Sequence, residues 1–165
     1  MSDNVNASNR VCGHCIECCQ GWMLLDVNGV EVSPGSPCAH STKKGCGIYL
    51  TRPEVCSNLK CGWLLNDKIF PVWMRPDKSK VIVVLRDFEG VAVFVAFSAG
   101  GEPTAKVVSF LKSLSNEQRM PLLLYGWCKE NGKYTKQLSY TAYAPPGMEE
   151  VLERMVASIN QNGVM

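Results

Sequence analysis

Chemistry in this chain is concentrated in its cysteines. Cys12, Cys15, Cys18, Cys19, Cys38, Cys46, Cys56 and Cys61 supply eight of the nine in 165 residues, and Cys128 stands alone. Thiolates ligate metals, hold iron–sulfur clusters or form disulfides, and spacing helps to separate these uses. In Cys12-Gly13-His14-Cys15-Ile16-Glu17-Cys18-Cys19, two successive C-x2-C intervals allow a tight loop to turn its sulfurs toward one ion, with Gly13 letting backbone amides come close. A bacterial ferredoxin run would continue as C-x3-C-P, whereas here Cys19 follows Cys18 directly and Gln20 comes next. Adjacent cysteines are expected to point apart, so Cys18 and Cys19 should serve different metals, or one of them should be a non-ligand.

The second cluster is Cys38, Cys46, Cys56 and Cys61, with His40 beside it. Eight thiolates match two tetrahedral four-thiolate sites, so two metals are permitted without being required. Thiolates around a divalent ion leave negative charge, which Lys43, Lys44, Arg52 and Lys60 can offset. His14 and His40 could each replace a thiolate, but with eight thiols available a solvated or supporting histidine is the simpler reading. Arg52-Pro53 suits helix initiation and charge compensation better than an anion grip. Cys128, next to Trp127, reads as a packed small hydrophobe.

Read as one pattern, Cys12-x2-Cys15-x2-Cys18-Cys19, Pro37-Cys38, the segment Gly45-Cys46-Gly47-Ile48-Tyr49-Leu50-Thr51-Arg52-Pro53-Glu54-Val55-Cys56 and the close Cys61-Gly62-Trp63-Leu64 resemble the CxxCxxCC zinc- or iron-chelating domain family, the YkgJ-type cysteine cluster proteins. The resemblance covers about residues 11–65. It implies a bound zinc or iron, and such proteins are often labelled Fe-S cluster-containing proteins or Fe-S oxidoreductases. It implies no reaction. Residues 66–165 carry no comparable motif.

Net charge is +2, with five basic and five acidic side chains in residues 1–65. That balance lacks the basic stripe of a nucleic-acid binder, although a zinc-ribbon module with a protein or nucleic-acid partner remains a third class. The start has neither a basic nor an apolar signal region, and the longest apolar run, Val91 to Phe97, is far too short for a bilayer span. A cytoplasmic protein with no membrane partner is expected. In a reducing compartment, clustered thiols favour metal or redox chemistry over structural disulfides. The sequon Asn6-Ala7-Ser8 then has no use.

The elements that must position these residues divide unevenly. Residues 1–10 read as a flexible polar lead, and 11–65 as an irregular lobe rich in glycine and proline that metal must organise. One short helix is expected from Pro53 at its first position, with Cys56 on its first turns and Cys61 just beyond. Tyr49 and Trp63 should pack beneath the lobe, and Trp22 to Leu25 should join it to a core spanning 66–165. In that core, Val81–Leu85 and Val91–Phe97 predict a hairpin about residues 86–90, and Val107, Val108, Leu111 and Leu114 a helix. Leu122–Trp127 and Lys136–Tyr143 predict a second hairpin around Asn131-Gly132, and the Met148, Val151, Leu152, Met155, Val156, Ile159 stripe a terminal helix. The expected class is α+β: the lobe joined, as one compact unit, to a mostly antiparallel four-stranded sheet with two helices on one face, in the order β-β-α-β-β-α. This order allows a duplicated β-β-α unit.

The functional expectation is metal binding, zinc or iron on the clustered thiolates with a mainly structural role, or alternatively an iron–sulfur redox protein. No Ser-His-Asp arrangement, phosphate loop or paired-carboxylate motif stands out, so any catalysis should run through the metal or the thiols.

Overall fold

A chain segment with many glycines and prolines and few aliphatic residues forms only short elements, and residues 8–60 follow that rule in the computed structural model, which describes residues 8–163. Most of the lead expected over residues 1–10 lies outside the described residues. Its last residue, Arg10, is pinned: its guanidinium lies 4.5 Å from the Trp63 ring centroid and donates to the carbonyl oxygens of Trp63 and Phe70 at 3.0 and 2.7 Å. A 3-10 turn spans Cys18–Gln20, and the hairpin of β1 (Leu25–Val27) and β2 (Val30–Val32) follows. A second, minimal hairpin pairs β3 (Ser41–Thr42) with β4 (Gly45–Cys46). After a 3-10 turn over Tyr49–Thr51 come α1 (Glu54–Asn58) and α2 (Gly62–Leu65), the latter with Cys61 as its N-terminal cap residue. Pro53 stands just before α1 rather than at its first position.

Residues 66–80, for which the sequence suggested no element, place Phe70 and Met74 in the core and end in α3 (Pro76–Ser79). Then come β5 (Val81–Phe88), β6 (Val91–Ser98), α4 (Ala105–Gln118), β7 (Leu122–Glu130), β8 (Lys133–Tyr143) and α5 (Glu149–Asn162). The strands form one sheet in the order β5-β6-β7-β8. Its outer pairs are antiparallel and its central pair, β6 with β7, is parallel. A parallel pair needs a crossover, and α4 supplies it. Thr104 caps that helix by accepting from the Val107 amide.

Both hairpins are tighter than expected. Glu89 and Gly90 have φ of 52° and 82°, and Asn131 and Gly132 have 50° and 77°. Paired left-handed residues close a two-residue turn that matches strand twist, so Arg86–Phe88 and residues near the second turn pair instead of looping. A bulge between Trp127 and Lys129 leaves Cys128 out of the register, half-buried, with its carbonyl accepting from Thr135 Oγ1 at 3.3 Å.

The expectation of both helices on one face is corrected. Alternate residues of the strands face opposite ways, and both sets are apolar. Val81, Val83, Phe94, Ala96 and Leu122 pack with Val107, Leu111 and Leu114 of α4. Ile82, Val84, Val93, Val95, Phe97, Leu123 and Tyr125 pack with Met155 and Ile159 of α5. Neither face can be left to water, since each buried Val, Leu or Ile is worth about 1.5–3 kcal/mol. One helix therefore covers each.

The lobe attaches along the β5 side and across the α5 face. Met23 is buried in the α5-side core, the Trp127 indole donates to the Trp22 carbonyl at 3.0 Å, and Lys80 Nζ meets buried Glu17 at 2.7 Å. Leu24, expected in this joint, turns outward with φ of 50° and is 37% exposed. Trp63, expected beneath the lobe, belongs instead to the α4-side core with Phe70 and Met74. Among the described residues, no helix is long and apolar enough to cross a membrane.

Candidate metal centre

The short hairpins and turns bring distant cysteines to one place. A cavity of about 50 Å³ is lined by Cys12, Cys15, Cys18, Cys19, Cys38, Cys46 and Cys56, with His40, Tyr49, Arg52 and a floor that includes Leu25, Val27, Val32 and Leu59. All nine cysteines are free, half-buried thiols.

Backbone contacts explain the convergence. The Cys15 amide donates to the Cys12 carbonyl at 3.0 Å, closing the first C-x2-C turn. The Cys38 amide donates to the Cys19 carbonyl at 2.8 Å, tying the second cluster to the first, and Ser41 pairs with Cys46 across the β3–β4 hairpin. Gly45 carries this contact further: its φ is 124°, and a Cβ there would collide with the Gly13 carbonyl oxygen. Only glycine lets these two cysteine-bearing loops meet.

Cys61 does not line the cavity. It packs against both sheet cores while remaining within electrostatic reach of Cys12 and Cys15, and burial pushes its thiol up to about 11. Cys18 packs on the α5-side core too. The sulfurs consequently fall into two neighbourhoods. Cys12, Cys15 and Cys18 interact with one another and, for the first two, with Cys61, and Cys12 also interacts with Cys19 across the divide. Cys56 interacts with Cys19, Cys38 and Cys46.

Cys18 and Cys19 join these neighbourhoods. Each of these thiols shifts the acidity of the other. Cys18 is held well above the ordinary thiol value by the neighbouring Cys19 thiol and by burial, and Cys19 is lowered to about 7 by Cys18 and by the nearby Arg52 charge. Burial raises the thiols of Cys12, Cys15 and Cys56. The Tyr49 hydroxyl at Cys12 and backbone amides of Glu17 and Asp77 at Cys15 oppose that rise.

Of the four cations expected to offset thiolate charge, Arg52 lines the cavity, stacked 4.0 Å from the Tyr49 ring centroid. Lys43 and Lys44 are exposed in the β3–β4 turn, and Lys60 is exposed outside the cavity. His40 lines the cavity, whereas His14 is 62% exposed and sits against Arg75 and Asp77, 3.4 Å from the carboxylate. Sequence reasoning missed the Arg75–Asp77 pair, whose 2.6 Å bond borders Cys15; no spacing rule links residues so far apart. Among the described residues, no three His, Cys, Asp or Glu side chains already stand together as a ligand set for one ion.

The chain matches no family model, no curated protein and no solved structure.

Proposed function

We propose that this protein binds zinc or iron through the thiolates of Cys12, Cys15, Cys18, Cys19, Cys38, Cys46, Cys56 and Cys61, with the metal serving mainly to organise the N-terminal lobe. The observation that carries this reading is the single cavity that the first seven of these line. A lobe with so few aliphatic residues has little else to hold separate loops together, and thiolate ligation can contribute on the order of 10 kcal/mol to folding. The donor chemistry fits: sulfur predominates, Arg52 supplies opposing charge, and Tyr49 supplies a hydroxyl donor at Cys12. Zinc–sulfur bonds of about 2.3 Å require the sulfurs to draw inward from their present separations.

The two neighbourhoods support a division into Cys12, Cys15, Cys18 and Cys61 against Cys19, Cys38, Cys46 and Cys56, four thiols each, sufficient for two ions. The cysteine pattern of residues 11–65, which resembles that of the CxxCxxCC proteins although no family model matches the chain, is in keeping with this reading and does not carry it. The low Cys19 value supports a second reading, an iron–sulfur redox protein in a reducing cytoplasm, because a ready thiolate suits cluster ligation or electron transfer.

Elemental analysis of anaerobically purified protein, taken with its visible spectrum, tests both. A colourless protein with zinc, or with iron and no sulfide, supports the first reading. Brown protein with acid-labile sulfide supports the second. Metal-free protein that also fails to take up zinc or iron on titration overturns both.

A further inference from the structure

On the outer side of the Tyr49–Arg52 pair lies a groove of about 170 Å³, lined by Ser8, Arg10, Tyr49, Arg52, Lys60, Leu64 and Leu65. Three cations line it and no carboxylate does. None of the three forms an ion pair among the described residues, although five ion pairs occur elsewhere. Arg52 is shared with the thiols of the cavity, but Arg10 and Lys60 have no acidic partner among the described residues, and an anion relieves the repulsion among the three.

We propose that this groove binds a small oxyanion, a phosphate or carboxylate group, between Arg10, Arg52 and Lys60. Two of the cations are held in place before any ligand arrives. Arg10 is fixed through Nη1 by the Trp63 and Phe70 carbonyls and by the Trp63 ring, and among the described residues its Nε and Nη2 have no hydrogen-bond acceptor. Arg52 is fixed over Tyr49. A guanidinium fork already oriented loses little freedom on binding, and it matches the planar or tetrahedral oxygens of such a group. Lys60 adds a movable point charge from the exposed rim. Leu64 and Leu65 form an apolar wall that lowers the local dielectric and strengthens each charge contact.

The groove and the thiol cavity share Tyr49 and Arg52. An oxyanion seated on Arg52 competes with the thiolates for its charge, so the groove reports on the cavity without depending on metal there.

The test is a titration of the full 15N-labelled chain with inorganic phosphate, and separately with succinate, at ionic strength held constant with chloride. The expected result is saturable shifts centred on Ser8, Arg10, Arg52, Lys60 and Leu64, with binding weakened about tenfold by Lys60→Gln and retained by Lys60→Arg, the size expected for one charge-assisted contact. Phosphate binding more tightly than succinate assigns a phosphate group, and the reverse a carboxylate. Non-saturating shifts, or shifts confined to the cysteine loops and unchanged in Lys60→Gln, overturn the proposal. Arg10 is unsuitable for replacement in this test because it also clamps the chain to Trp63 and Phe70.

Discussion

The thiols of Cys18 and Cys19, neighbours in the chain, shift each other's acidity in opposite directions. Cys18 holds the proton and Cys19 carries the readier thiolate, beside Arg52. The Cys38 amide donates to the Cys19 carbonyl at 2.8 Å, so this pair of residues is where the first cysteine cluster meets the second.

Alkylation should reveal that split in the reduced, metal-free protein. The rate at Cys19 should rise through a midpoint of about 7, while Cys18 reacts only at much higher pH. Cys18→Ala removes the neighbouring thiol and should move the Cys19 midpoint upward. Site-resolved mass spectrometry after timed iodoacetamide pulses measures both; an unchanged Cys19 midpoint in Cys18→Ala would show that the thiol contact does not set it.

Gly45→Ala should separate the cysteine loops. The added methyl meets the Gly13 carbonyl oxygen and must also sit at a φ of 124°, so the β3–β4 hairpin has to shift away from the first cluster. Zinc affinity, read by competition with a chelator, should fall at least tenfold while β5–β8 amide protection stays as in the parent. Unchanged affinity would mean that the two loops need not touch to bind metal.

Alkali should destabilise the metal-free protein. The folded Cys61 thiol ionises only near 11, against an ordinary value of 9.0, so its contribution is fully present below about 9 and is lost as pH rises toward 11. Two units of separation correspond to about 2–3 kcal/mol. Cys12, Cys15, Cys18 and Cys56 are raised as well and add to the same loss. Urea unfolding at several pH values should therefore show a steeper decline for the parent than for Cys61→Ala, with parallel declines counting against the assignment.

The two sheet faces should be energetically separate. Leu111→Ala beneath α4 and Met155→Ala beneath α5 should each cost about 2–5 kcal/mol, and the double variant should equal their sum within about 0.5 kcal/mol. Chemical denaturation of the three variants gives the comparison. A large coupling energy would place both side chains in one core.

The residues with short-range rules behind them were legible in the sequence. The α5 stripe, the Asn131-Gly132 turn and the strand runs announce themselves through periodicity and turn preference, because those signals lie within a few residues of one another. The clustering of Cys12 to Cys61 likewise marked the region where chemistry could occur. Periodicity could not say which face each helix covers. The apolar runs of β5 and β6 present apolar residues on both sides, and only the path of α4 between β6 and β7 settles the layering.

The same limit holds at the site. Composition and spacing alone determined which residue types could ligate a metal. Tertiary structure decided the rest: Gly45 against Gly13 brings the loops together, Cys61 turns into the joint with the sheet, and Trp63 goes to the core. Arg10 joins Arg52 and Lys60 at one groove although it lies far from both in the chain. Such meetings depend on backbone contacts between segments tens of residues apart, and a local pattern of residues carries no record of them.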